Sequence, residues 1–145
     1  MRAKGRRYMR RTSAERGASA VEFALVLPLL FLIIAGIIDL GRLMFYSAIT
    51  TNVAREGARA AVVLDPGSAT YNPDDVTTRA EAAAWGLDPA RLTVTPPTAC
   101  DGNNNLTVEV VYDFDWLILG PAMEMVGSGP SSLGDIGAKS TMRCL

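Results

Sequence analysis

Sixteen consecutive residues without a charge, 23–38, follow closely behind a strongly basic head. With their mostly apolar flanks they make about 20 residues, enough to cross the roughly 30 Å hydrocarbon layer of a bilayer as a helix. The charges around this run are lopsided. Residues 1–17 hold seven basic side chains and one acid, a net of +6; residues 18–145 hold seven basic and fourteen acidic, a net of −7. Positive charge marks the cytoplasmic side of a span, so the expected orientation is N-terminus inside and C-terminal part outside. A cleaved secretory peptide fits less well. Its small-residue site would follow the apolar run, whereas here Gly17, Ala18, Ser19 and Ala20 precede it and Asp39 and Arg42 follow.

The remaining composition narrows the function. The chain has 145 residues, 49% apolar and 20% charged, about one domain's worth. Basic residues crowd only the first seventeen positions, so no nucleic-acid partner is expected. There is no histidine. That removes Ser–His–Asp and Cys–His catalysis and histidine metal sites. No other nucleophile–base set stands out, so the reading is a non-enzyme with no cofactor and no metal.

The helical pattern continues past the apolar run to Leu64, where Asp65-Pro66-Gly67 stops it. A single helix over 18–64 would be about 70 Å long. Only its first half can lie in lipid, and Pro28 marks a kink or a melted turn there. In the second half Asp39, Arg42, Asn52, Arg55 and Arg59 form a polar face beside Val53, Ala54, Gly57, Ala58 and Ala61.

Residues 65–145 read as a small α+β unit. Asp74 or Asp75 can cap a short helix over 76–85, closed by Gly86. Strands are expected at 92–95, stopped by Pro96-Pro97, at 106–115 and at 136–144. In the middle strand Leu106, Val108, Val110, Tyr112 and Phe114 alternate with a mostly polar face. Residues 116–126 are a short helix or packed loop, and 127–134 a flexible connection. The fold class is therefore α+β, a single-pass chain with a long N-terminal helix, a short helix and about three antiparallel strands. Its parts are 1–17, 18–64 and 65–145.

The segment Gly17-Ala18-Ser19-Ala20-Val21-Glu22-Phe23 carries the sharpest functional signal. It resembles the type IV prepilin cleavage signature: a basic leader ending in Gly, a cut after that Gly, a Glu five residues beyond it, and a long apolar helix. The offsets make physical sense. A peptidase at the cytoplasmic face needs its scissile bond just before the span, and Gly leaves the backbone accessible. The cut frees an amine on Ala18, and Glu22 stands one helical turn away. A carboxylate at the start of a span is unfavourable unless it has a use.

A wider resemblance covers Arg16 to Ala60. The runs RGASAVEFALVLPLL, IDLGR and NVAREGARA, with the ending AKSTMR at 138–143, look like the TadE-like proteins, minor pilins or pseudopilins of the Tad (tight-adherence, Flp) pilus. The resemblance implies processing by a prepilin peptidase between Gly17 and Ala18, and an assembly role for Glu22 and Phe23. It also implies partnership with membrane lipid, other pilins and the Tad assembly platform. The place is the bacterial cytoplasmic membrane or the surface pilus. The TadF-like subtype stays open. So does a second function: a permanently anchored envelope protein that binds a partner or ligand without entering a fibre.

Other side chains allow two readings each. Asp39 and Arg42, three apart, form an ion pair at the outer membrane face or a contact between subunits. Arg55, Glu56 and Arg59 are a docking stripe or a solvated face with local salt bridges. Gly57 and its neighbouring alanines fit a helix lying on its own sheet better than one receiving a second helix. Glu109, Asp113 and Asp115 fall on one strand face with no partner pattern, which favours a solvated face over a metal or acid site. Cys100 precedes a turn and Cys144 ends the last strand, so a sheet edge can bring them together. A disulfide there would close a loop of about 45 residues, worth roughly 4 kcal/mol; the alternative is two reduced thiols.

Overall fold

The computed structural model describes residues 11–125, 127 and 134–144, with the backbone alone for 11–16. Its order is α1 (Arg11–Leu64), α2 (Pro73–Ala82), a 3-10 turn (Pro89–Arg91), β1 (Leu92–Thr95), β2 (Asn105–Tyr112), α3 (Leu119–Glu124) and β3 (Ile136–Arg143). The fold is α+β: a long apolar N-terminal helix, short helices and three antiparallel strands. Most of the expected connection over 127–134, and Val126 before it, lie outside the described residues.

The chain forms two compact units that divide between Ile38 and Asp39, inside α1 rather than at its end. In the first unit Phe23, Leu25, Phe31 and Leu32 are all exposed, Leu25 at 76%. The helix is long and apolar enough to cross a membrane by length and composition. Pro28 sits within α1 without interrupting it, so of the two expected outcomes, a kink or a melted turn, the melted turn is not there. The described helix also starts earlier than Ala18, at Arg11.

The second unit is built on the rest of α1. Val53, Ala54, Ala58 and Ala61 are buried there with Val76 and Ala80 of α2 and Leu106, Val108 and Val110 of β2. Small residues on α1 set the close approach. A Cβ on Gly57 would stand 3.1 Å from Val108 Cγ1 and 3.2 Å from Ala80 Cβ, so α1, α2 and β2 meet at a position without room for a side chain. Helix α1 therefore lies on its own sheet, as the small residues at 54, 57, 58 and 61 require.

The sheet order is β1-β2-β3, antiparallel throughout. Leu92 of β1 and Ile136 of β3 both face Tyr112, so β2 loses both neighbours at that residue. That is why β2 ends at Tyr112 although the alternating pattern runs on to Asp115. Phe114, off the strand, still turns inward and is buried.

Helix α2 starts earlier than expected. Its cap is Asn72, not Asp74 or Asp75: the Asn72 side chain accepts the Asp74 N–H at 3.2 Å. Pro73 occupies the first turn, where its missing N–H costs nothing. Asp74 and Asp75 then sit in that first turn, where the helix dipole favours acids. The helix ends at Ala82, and Gly86, with φ +85°, belongs to the turn beyond it.

At the far end of the sheet, Asp101 Oδ1 accepts the N–H groups of Asn103 at 2.9 Å and Asn105 at 2.7 Å, shaping the turn before β2. Cys100 and Cys144 are joined by a disulfide across 44 residues of sequence. Beside it the Cys144 N–H donates to the Asn104 carbonyl at 2.9 Å, so the end of β3 is tied down twice.

Candidate functional site

The sequence singles out two places on α1, its beginning and its middle. Gly17, Ala18, Glu22 and Phe23 lie on the first stretch, all exposed. A Cβ on Gly17 would meet nothing within 4 Å, so this backbone is open to approach. Gly17 lies inside α1, where glycine weakens the helix by about 1 kcal/mol against alanine. Glu22 stands four residues beyond Ala18, on the same face one turn along. The structure thus keeps the Gly17–Ala18 bond, Glu22 and Phe23 on one uncovered helical segment.

Asp39 and Arg42 tell a different story. Asp39 is buried, 0% exposed. Its Oδ1 accepts the Leu117 N–H at 3.2 Å, and its Oδ2 accepts those of Ile118 at 3.0 Å and Leu119 at 2.7 Å. One carboxylate on α1 therefore fastens three consecutive amides at the start of α3. Those amides have no helical acceptor of their own, so the contact satisfies two sets of buried polar groups together.

Arg42 is the minor partner of Asp39, with Nη1 3.6 Å from Oδ1. The same Nη1 donates to the Asp115 carbonyl at 3.1 Å. Its guanidinium lies 5.7 Å from the Tyr46 ring centre and 5.4 Å from that of Phe114. Tyr46 in turn contacts Tyr112, and Phe114 meets Trp116 edge-on at 5.1 Å. The expected pair is thus part of a larger joint between α1 and the segment after β2.

The electrostatics of Asp39 follow from this cage. Burial alone would raise its pKa. The amides of Leu119, Ile118 and Leu117, helped by Arg42, outweigh it and hold the carboxyl below its ordinary 3.8. Asp39 is accordingly an ionised, structural carboxylate.

The remaining sequence candidates are scattered. Glu109 pairs with Lys139 across the sheet at 2.6 Å, and Asp115 with Arg91 at 3.7 Å. Asp113 is exposed and its N–H donates to the Arg91 carbonyl. Among the described residues no three metal-ligating side chains converge. Arg55 and Arg59 are exposed on α1, with Glu56 half-buried between them.

Sequence reasoning missed the Asp39 clasp and the ring stack around Arg42. The one available signal was Asp39 itself, an acid placed directly after a long apolar run. Its partners are backbone amides 78 to 80 positions away, which no side-chain pattern announces.

Comparison with curated proteins and with solved structures gives no match. Comparison with protein-family models gives one, described as TadE-like protein, over residues 17–59. The matched segment begins at Gly17 and includes Glu22, Asp39, Arg42 and Arg59. The chain is thus similar to the TadE-like family over that segment, and the similarity suggests a pilin-like protein associated with the Tad pilus.

Proposed function

We propose that this chain is the precursor of a minor pilin or pseudopilin of a Tad-type pilus. A prepilin peptidase cuts it between Gly17 and Ala18, removing the +6 leader and leaving a −7 chain. Residues 18–38 hold the subunit in the cytoplasmic membrane, with the domain outside. Its work is assembly and not catalysis: it primes, caps or regulates a fibre together with other pilins and the assembly platform. The observation that carries this reading is the TadE-like match over 17–59, whose first stretch, 18–38, is apolar, mostly exposed and bears Glu22 as its one acid.

Glu22 is the residue on which assembly turns. It is the only acid in 18–38, and a carboxylate held in lipid is costly unless it meets a cation. Cleavage creates one, the amine of Ala18. The nearest basic side chain in the mature chain, Arg42, is about five helical turns further on. Pairing with a neighbour's amine would draw subunits into register.

Glu22→Gln keeps the shape and removes the charge. Insertion and cleavage should remain normal, since Gly17 and the span are unchanged, while pilus output falls. Pulse-chase processing with a count of surface pili checks both. Wild-type piliation in a strain whose only copy is Glu22→Gln would contradict the role.

A further inference from the structure

Leu117, Ile118 and Met125 are exposed around α3, Met125 at 90% and Leu117 at 59%. Residues 116–125 read WLILGPAMEM, with Glu124 the single charge. A soluble domain has little reason to present such a segment to water.

Asp39 fixes where the segment lies. Its carboxylate grips the amides of 117–119, and its own backbone is bonded directly to Ile38, the last residue of the apolar run. The exposed apolar residues of 117–125 therefore sit at the level where the chain leaves that run. Leu40 and Met44, one and five residues beyond Asp39, are exposed on α1 at the same end of the domain. Behind them stand Tyr46, Phe114 and Trp116 with the Arg42 guanidinium.

We infer that residues 117–125 are an interfacial membrane contact, with Leu117, Ile118 and Met125 inserted at the headgroup–acyl boundary of the bilayer that 18–38 crosses. The inference depends on the spanning role proposed above for 18–38. A lipid surface is favoured over a protein partner because the covalent link to the apolar run sets the height of the segment. No such constraint points to a protein.

The test uses the unaltered full-length protein in phosphatidylcholine vesicles. These carry a phospholipid with a photoactivatable diazirine near the top of its acyl chain. After illumination, lipid adducts are mapped by mass spectrometry. The reference is the 101–104 turn, which precedes β2 and lies about 23 Å from the Tyr112 end of that strand. Adducts on 18–38, and on 116–125 at several times the level on 99–105, are expected. Adducts on 18–38 with 116–125 no higher than 99–105 would overturn the lipid contact alone. Absence of adducts on 18–38 would overturn the spanning reading, and the lipid contact with it.

Discussion

The two halves of α1 share a backbone and differ in everything their side chains meet. Over 18–38 the helix is apolar and mostly uncovered; after Asp39 it is packed, with Val53 and Ala58 fully buried in the domain. Large residues such as Leu25 and Phe31 face outward in the first half. Small ones such as Ala54, Gly57 and Ala61 face a sheet in the second. The lesson is that a continuous helix need not belong to one unit. Side-chain size and solvent assign each half, and Asp39, buried and hydrogen-bonded, marks the change.

Changes confined to the second half should therefore cost folding stability and leave the first half intact. The largest effect is expected from the disulfide. Replacing Cys100 or Cys144 with Ser should lower the stability of the domain by roughly 4 kcal/mol. Thermal unfolding of the full chain in detergent would show it, with membrane insertion unaltered. Thiol labelling under non-reducing denaturation should find neither cysteine free, and two labelled cysteines would refute the bond.

Next comes a matched pair of glycines on the one helix. Gly57→Leu should cost about 3 kcal/mol, since its Cβ alone would crowd Val108 and Ala80. Gly36→Leu meets nothing within 4 Å of its Cβ and should leave domain unfolding where it was. Equal losses at both positions would erase the distinction between the halves.

Asp39→Asn is smaller, about 2 kcal/mol, because one amide oxygen cannot serve three N–H donors as a carboxylate does. It also predicts a pH effect. The folded-state pKa of Asp39 is depressed, so its contribution is present above the ordinary value of 3.8 and is lost as pH falls through the lower folded value. The unfolding temperature of the native chain should drop over that acidic window, and the drop should flatten in Asp39→Asn. A parallel pH profile in the variant would show that the clasp carries no charge-dependent stability.

Much of the fold was legible because its signals are local. The alternation of Leu106, Val108, Val110 and Tyr112 marks β2 and its buried face. Asp65-Pro66-Gly67 marks the end of α1, where Asp65 takes φ 51° and its carboxylate accepts the Gly67 N–H at 3.0 Å. What misled was local competition: Asn72-Pro73 and Asp74-Asp75 both look like helix starts, and the capping geometry decides between them. What was hidden was non-local. The end of β2 depends on where β1 and β3 stop, and the role of Asp39 depends on amides brought in by the chain after β2. At the N-terminal site the linear motif was itself the legible part, because the roles proposed for Gly17, Ala18, Glu22 and Phe23 rest on their spacing along one helix.

The central claim is that the first half of α1 is the processed, membrane-held part of a pilin-like subunit. Intact-mass and N-terminal determination of the protein extracted from cells with an active prepilin peptidase tests it most directly. The account predicts a mature chain beginning at Ala18, lacking the seventeen-residue leader, and a block in processing when Gly17 is replaced by a bulky residue. A mature N-terminus at Met1 in such cells would contradict it.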